Sequence, residues 1–384
     1  MEPSRFINSP SGHLIHTTSG YDAFVPNPLP PLLDISASLI HTLSDADRKL
    51  GELAGFGRVL PNPHLLIHPF LRREAVLSSR IEGTQASLFD IYAFEAVQLP
   101  LFDHNSDAKE VHNYVTALQY GLDRLESLPV SLRLICEVHE KLMDGVRGGY
   151  QTPGEMRRSQ NWIGPAGCTL SEATFVPPPV EQMKEALYLL EEYLYQTSDF
   201  PPLIRAAMIH YQFEAIHPFL DGNGRIGRML IVLLLCAWKV LPQPLLYMSA
   251  FFEKNRAEYY ELLMAVSQRG KWEAWIDFFL RGVTEQSADA VQRAQRLMDV
   301  QSHYRSLLNQ SSNSIKMLQV LDYAFINPVF STNRVAAALS LPFSTVQRYL
   351  VELLHMGFIE EVTGGARNRI YRANPILEAI DAQF

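Results

Sequence analysis

Cysteine is scarce in this 384-residue chain: Cys136, Cys168 and Cys236 are odd in number and widely spaced. No CxxC pair occurs, so neither a disulfide framework nor a cysteine-based zinc site is expected, and a reduced, cytoplasmic compartment is. A basic excess is missing as well, with 33 Lys and Arg against 41 Asp and Glu and a net charge of −8. That balance argues against a dominant polyanion-binding surface while leaving room for a small cationic pocket. Long apolar runs are also lacking. The longest, Met229 to Trp238, is closed by Lys239 and Pro242. It falls well short of the ~20 residues that a membrane span needs and reads as a buried helix, so no membrane partner is expected. The first residues hold no apolar stretch of the secretory kind, and export is not expected.

What is present is an ordinary globular composition, 47% hydrophobic and 19% charged. At this length two or three folded units are expected. Residues 1–45 are punctuated by Pro26, Pro28, Pro30 and Pro31 and read as an extended arm, with a first helix starting near Ser44, Asp45 and Asp47. From 64 to 96 apolar Leu66, Phe70, Val76, Leu77 and Ile81 recur at helical spacing, and Gly83 offers a stop. Further amphipathic helices are predicted over 107–128, 130–144, 180–196 and 201–215. A loop–hairpin excursion between them (150–179) has β-prone pieces at Asn161–Ile163 and Thr174–Val176. A Gly-rich break at 221–227 leads into the apolar helix, and two or three more helices reach Leu308. A polar linker (309–314) then precedes a segment, 315–384, whose helix–turn–helix and alternating Asn368–Arg372 resemble a winged helix-turn-helix domain.

The chemically informative run is Ile216-His217-Pro218-Phe219-Leu220-Asp221-Gly222-Asn223-Gly224-Arg225-Ile226-Gly227-Arg228. Gly222 and Gly224 flank Asn223 at the start of the apolar helix, where backbone N–H groups and the macrodipole favour an anion. Arg225 and Arg228 lie three apart and share a face, giving two guanidiniums for a multiply charged phosphate chain. Asp221 at the lip makes sense if Mg²⁺ bridges it to the phosphates. His217 stands just before the loop and suits a general base toward a hydroxyl. Walker A and HExxH patterns are absent. The constellation spells nucleotidyl or phosphoryl transfer.

HPFLDGNGRIGR matches the signature HxFx[DE]GNGRxxR at every fixed position, and on it the chain is identified as a member of the Fic proteins. The segment TPGEMRRSQNWIG…FVPPP resembles the stretch around the Fic target-docking flap, and the arm and C-terminal segment resemble those of long bacterial Fic proteins. The resemblance implies a mainly α fold: a Fic helical core with a small β-hairpin flap, plus the winged helix. The division expected is an N-terminal arm with an inhibitory helix (1–106), a Fic core (107–308), the linker and the winged helix. The implied activity is transfer of AMP from ATP to a Ser, Thr or Tyr hydroxyl of a protein, with release of pyrophosphate. By resemblance His217 is the base and Asp221 holds Mg²⁺ between the α- and β-phosphates. Gly222, Asn223 and Gly224 form the anion hole, Arg225 assists and Arg228 meets the γ-phosphate, with Ile226 and Gly227 completing the nucleotide loop. Relatives that act as kinases carry Ala and Lys in place of the two glycines, so Gly222 and Gly224 favour adenylylation.

Ser78-Ser79-Arg80-Ile81-Glu82-Gly83 matches [ST]xxxE[GN], the inhibitory motif of self-restrained Fic proteins, with Ser78 and Glu82 on one helical face. A glutamate reaching Arg228 would block the γ-phosphate. The same Glu82 positioning a water would also be compatible with removal of AMP. Tyr260 in NRAEYYELL is a candidate to stack on adenine. His112, His139 and His210 have no ligand-spaced partners and read as structural. The strand edge at 161–163 and 174–176 could take a target segment or be a plain hairpin. Residues 313–384 carry as many acidic as basic groups, so DNA is not favoured as a partner, although Arg348, Arg367, Arg369 and Arg372 could form a small patch. ATP, a hydroxyl-bearing target protein and a second copy in a homodimer are the partners expected. The rival reading is a nucleotide-sensing transcription regulator that binds DNA through its winged helix.

Overall fold

The first elements differ from the extended arm expected at the N-terminus. In the computed structural model, which describes residues 1–59, 63–97, 107–146, 152–310, 315–364 and 369–381, the chain starts with a 3-10 turn at Pro3–Phe6. An antiparallel hairpin comes next, β1 (Gly12–His16) paired with β2 (Asp22–Pro26). Its turn is closed by Thr17, whose hydroxyl donates to the Tyr21 carbonyl, and by Gly20 at φ +82. The prolines lie at the end of β2 and beyond it, so they bound the hairpin instead of preventing structure. The first helix, α1 (Ala37–Val59), begins well before the predicted acidic cluster. Ser36 caps it, its Oγ accepting from the Leu39 N–H at 3.1 Å.

Next come α2 (His64–Ile81) and α3 (Leu88–Val97), separated at Gly83, whose φ of +103 ends the helix as the sequence predicts. After them run α4 (Asp107–Arg124), α5 (Leu132–Leu142), α6 (Val180–Tyr195), α7 (Pro202–Ile216) and α8 (Asn223–Ala237). The expected hairpin between α5 and α6 reduces to a single antiparallel bridge, Ile163 with Phe175. The Val176 carbonyl is taken by the Phe24 N–H of β2 at 2.9 Å, so the N-terminal hairpin braces this segment.

α9 (Ser249–Lys254), α10 (Arg256–Arg269) and the long α11 (Trp272–Gln310) complete the helical body. α11 covers the start of the predicted linker, and 311–314 lie outside the described residues. Beyond them come α12 (Ile315–Ile326), β3 (Val329–Ser331), α13 (Thr332–Leu339), α14 (Phe343–His355), β4 (Glu360–Glu361), β5 (Ile370–Arg372) and α15 (Asn374–Asp381). The three strands form an antiparallel sheet in the order β3-β5-β4. Arg367 of the expected basic patch falls outside the described residues.

α8 is buried on nearly every face from Ile226 to Leu235 and packs on α7, α4 and α5, which is why its apolar residues show no helical stripe. Its first two turns alone carry glycine and charge, and there α8 meets α2 and α7, with Tyr259 and Tyr260 of α10 near Arg228. α12 and α15 pack against α2, and β3 packs against α3, so the C-terminal elements share one apolar core with the helix that carries Glu82. No helix among the described residues is long and apolar enough to cross a membrane.

Candidate active site

His217 ends α7 in the left-handed region (φ 51, ψ 63), a conformation costly for a side chain with a Cβ and kept only where neighbours enforce it. Two neighbours do so. Arg157 donates from Nε to the His217 carbonyl at 3.0 Å, and Asn161 donates to the same oxygen at 3.2 Å. The ring Nδ1 lies 3.2 Å from the Glu214 carbonyl. A carbonyl can only accept, so the proton sits on Nδ1 and the lone pair on Nε2. Burial lowers the imidazole to a pKa of about 4, which keeps that lone pair unprotonated at neutral pH.

The loop from Pro218 to Gly222 is held by polar groups from three directions. Asn223 closes it internally, accepting from the Phe219 N–H and donating to the Phe219 carbonyl, both at 2.8 Å. Arg157, almost wholly buried, also donates to the Ser159 carbonyl at 3.2 Å and to the Pro178 carbonyl. Phe219 stacks flat on His139, ring centres 3.8 Å apart. His139 Nδ1 accepts the Gly154 N–H at 2.9 Å, so Nε2 carries the proton and donates to the Asp221 carbonyl at 3.0 Å. Burial lowers His139 to about 4 and keeps it neutral in that tautomer.

Gly222 caps α8 with φ 79, and Gly224 is the second helical residue. A Cβ at Gly224 would collide with Glu82 Oε1. Glu82, just past the last turn of α2, therefore seats its carboxylate at the start of α8, in the position where an N-terminal anion is stabilised. There Glu82 Oε1 accepts from Arg228 Nη2 at 2.6 Å. Ser78 holds the same guanidinium, its Oγ accepting from Nε at 2.8 Å and its carbonyl from Nη2 at 3.0 Å. Arg228 is 1% exposed and Glu82 35%. Burial opposes both charges, but each partner outweighs it, so Glu82 is held below the usual carboxylate range and Arg228 is held firmly charged.

Arg225 turns elsewhere than Arg228. Its guanidinium lies 3.6 Å from Glu110 of α4 and 3.4 Å from Asp221, and it is 5% exposed. Asp221 is 45% exposed; its Oδ1 also accepts the Gly222 N–H at 2.6 Å. Ile226 is buried in the core, and Gly227 lets α7 and α8 close together, its carbonyl accepting from His210 Nδ1 at 3.0 Å. Tyr260 is 43% exposed beside Arg256, close enough to Glu82 and Arg228 for their charges to act on its hydroxyl. Tyr259 is buried and bonds His210 at 2.9 Å.

The structure thus brings Ser78, Glu82, His217, Asp221, Gly222, Asn223, Gly224, Arg225 and Arg228 to one site and leaves Tyr260 at its edge. Sequence reasoning does not single out Arg157, Asn161, Glu110 or Glu214. It reads His139 and His210 as structural, and both do bond the backbone that carries the site. Among the described residues there is no group of three or more potential metal ligands. A half-exposed carboxylate with one oxygen already engaged still fits Mg²⁺, which takes one or two carboxylates and completes its shell with water and phosphate. An anion-accepting helix start, a fixed neutral imidazole, a carboxylate and buried guanidiniums define a site suited to a nucleotide's phosphate chain.

The profile described as Fic/DOC family N-terminal matches residues 40–123, and the profile described as Fic/DOC family matches 129–235. The chain thus carries a Fic/DOC N-terminal domain followed by a Fic/DOC domain. It is 30% identical over 220 residues to the protein adenylyltransferase Fic of Aedes aegypti, an alignment covering 54% of this chain and 39% of that protein. Against the protein of the same name from Drosophila grimshawi it is 26% identical over 174 residues, covering 42% and 32%. The chain spans about a third of the length of these curated relatives. Its fold is similar to that of a Fic family protein from Desulfovibrio desulfuricans G20, with TM-score 0.58, 19% identity and coverage of 90% of this chain and 98% of that one. A fragment of Fic-1 from C. elegans aligns with TM-score 0.51 and 20% identity, covering 67% and 74%.

Proposed function

We propose that this chain is a protein adenylyltransferase that moves AMP from ATP to a hydroxyl side chain of a protein, and that Glu82 restrains it. The observation that carries the reading is the Glu82 carboxylate on Arg228 at the start of α8, an anion of the chain's own in a place suited to the nucleotide's terminal phosphate. In the reaction the target hydroxyl oxygen attacks the α-phosphorus, the bond to pyrophosphate breaks, and the hydroxyl proton passes to His217 Nε2. The N–H groups of Gly222, Asn223 and Gly224 receive phosphate oxygens, and Arg225 and Arg228 neutralise the chain. Asp221 would hold Mg²⁺, which supplies charge neutralisation along the phosphates. His139, Arg157 and Asn161 keep His217 and Asp221 at fixed positions, so little reorganisation is needed at the moment of transfer.

The target segment would add to the strand edge at Ile163, where Trp162 and Ile163 are exposed. The helix–strand–helix–helix–strand–strand order after α11 supports a winged helix there. DNA binding through it is disfavoured, because Arg372 pairs with Glu360 and Arg369 faces Glu361 at 3.6 Å. The test is incubation of the full chain and of Glu82→Gly in lysate with ATP labelled on either the α- or the γ-phosphate. Protein labelled from α and not from γ is expected. Label from γ alone, or from neither, would refute adenylylation.

A further inference from the structure

Three carboxylates lie near enough to Arg228 for its charge to act on them, and two of them have hydrogen-bond partners among the described residues. Glu82 is bonded to it directly. Glu74 of α2 lies beneath, nearly unexposed, accepting from Tyr114, from the Ser249 N–H and from the Ser249 hydroxyl. The third is Glu214, one turn before His217 on α7. Its Oε1 is buried and has no hydrogen-bond partner among the described residues. Glu214 lies over Gly227, where a Cβ would collide with Oε1, so glycine at 227 leaves the space this carboxyl fills. An orphaned buried carboxyl oxygen is costly and needs an explanation.

We infer that Glu214 is the reserve counter-ion of Arg228: it ionises and takes the guanidinium when Glu82 leaves, and takes up a proton when a nucleotide's terminal phosphate arrives. Arg228 is buried and cannot stay charged without an anion nearby. With Glu82 seated, a second full negative charge at Glu214 would be superfluous. In this state burial, opposed by Arg228 and reinforced by Glu82, pushes Glu214 up to about 8. Once Glu82 withdraws, its repulsion of a second carboxylate is lost and only Arg228 acts on the carboxyl. The other groups near it are Tyr259 and Tyr260 of α10 and His210 on its own helix, with His217 bonded to the Glu214 carbonyl. The tyrosines are raised and the histidines lowered, so all four are neutral at working pH. Arg228 is therefore the charge that decides the ionisation of Glu214.

The inference rests on the proposal that ATP occupies this site. It is tested by calorimetric titration of ATP with Mg²⁺ into full-length Glu82→Gly at pH 8, in buffers of different ionisation enthalpy. Binding is expected to take up about one proton per ATP, and Glu82→Gly/Glu214→Gln is expected to take up none. Binding without proton uptake in Glu82→Gly, or equal uptake by both variants, would overturn the role of Glu214 and leave the ATP site standing. No ATP binding by Glu82→Gly would overturn both. The single-variant titration decides the point even if the double variant does not fold.

Discussion

Replacing Glu82 by Gly removes the carboxylate from Arg228 and should release the site. A hydrogen bond between charged groups contributes about 1.5–3 kcal/mol, and a buried Arg228 places this one toward the top of that range. Glu82 is itself 35% exposed, so solvent screening trims the advantage of the seated state to about 1–2 kcal/mol. Converted to populations, that is about a 5–30-fold gain in open sites, and the labelling rate at sub-saturating ATP should rise by the same factor. The assay is self-labelling with α-labelled ATP, followed as an initial rate. Glu82→Ala must match Glu82→Gly, because Glu82 has helical backbone angles (φ −85, ψ −1) that either residue accepts. A rise confined to the glycine variant would trace to chain flexibility. Equal labelling of wild type and both variants would refute the restraint, since the ion pair would then cost ATP nothing.

Acid should not relieve the restraint. The folded-state pKa of Glu82 is depressed, so its contribution is present above the ordinary carboxylate range and lost only as pH falls through the depressed value. The wild-type rate should therefore stay well below that of Glu82→Gly from pH 8 to about 5. With ATP saturating, labelling by Glu82→Gly should stay flat down to about pH 5, because His217 is lowered to about 4; a limb near the ordinary ~6.5 would contradict the buried imidazole. His217→Ala in that background should abolish labelling. Asn223→Ala loses both bonds to the Phe219 peptide and should cost about 1–3 kcal/mol in urea unfolding. Arg157→Lys cannot replace three guanidinium donors with one ammonium; it should lower stability by about 2–4 kcal/mol in the same measurement and suppress labelling in the Glu82→Gly background.

How much of this is legible in the sequence depends on whether the partners are neighbours along the chain. The run from His217 to Arg228 can be read because its base, carboxylate, glycines and arginines are contiguous and the helix start comes directly after. Gly83 can be read as a stop for the same local reason. Glu82 meeting Arg228, 146 positions away, is legible only through resemblance. The β1–β2 hairpin escapes because the prolines outweigh the short alternation Gly12–His16. The start of α1 escapes because Ser36, a single capping hydroxyl, is outweighed by the acidic cluster after it.

The residues that fix the loop geometry are hidden for a different reason. Arg157, Asn161 and His139 are polar side chains that hydrogen-bond backbone groups in a distant part of the chain, and periodicity carries no record of such a partner. His139 is the clearest case. It is one of the chain's twelve histidines, on the buried face of an amphipathic helix, the pattern of a satisfied core residue. In the structure it is satisfied, but by Gly154 on one side and Asp221 on the other. Its single tautomer therefore ties the segment leading to the Ile163 strand edge to the carboxylate proposed for the metal. A residue can be structural in every contact it makes and still set the geometry of the reaction, because the backbone it bonds is the backbone that carries the site. The acidic balance of the chain has the same lesson: of the acidic groups that outnumber the basic ones, Glu74, Glu82 and Glu214 are spent around one arginine, and that arginine is where a polyanion would bind.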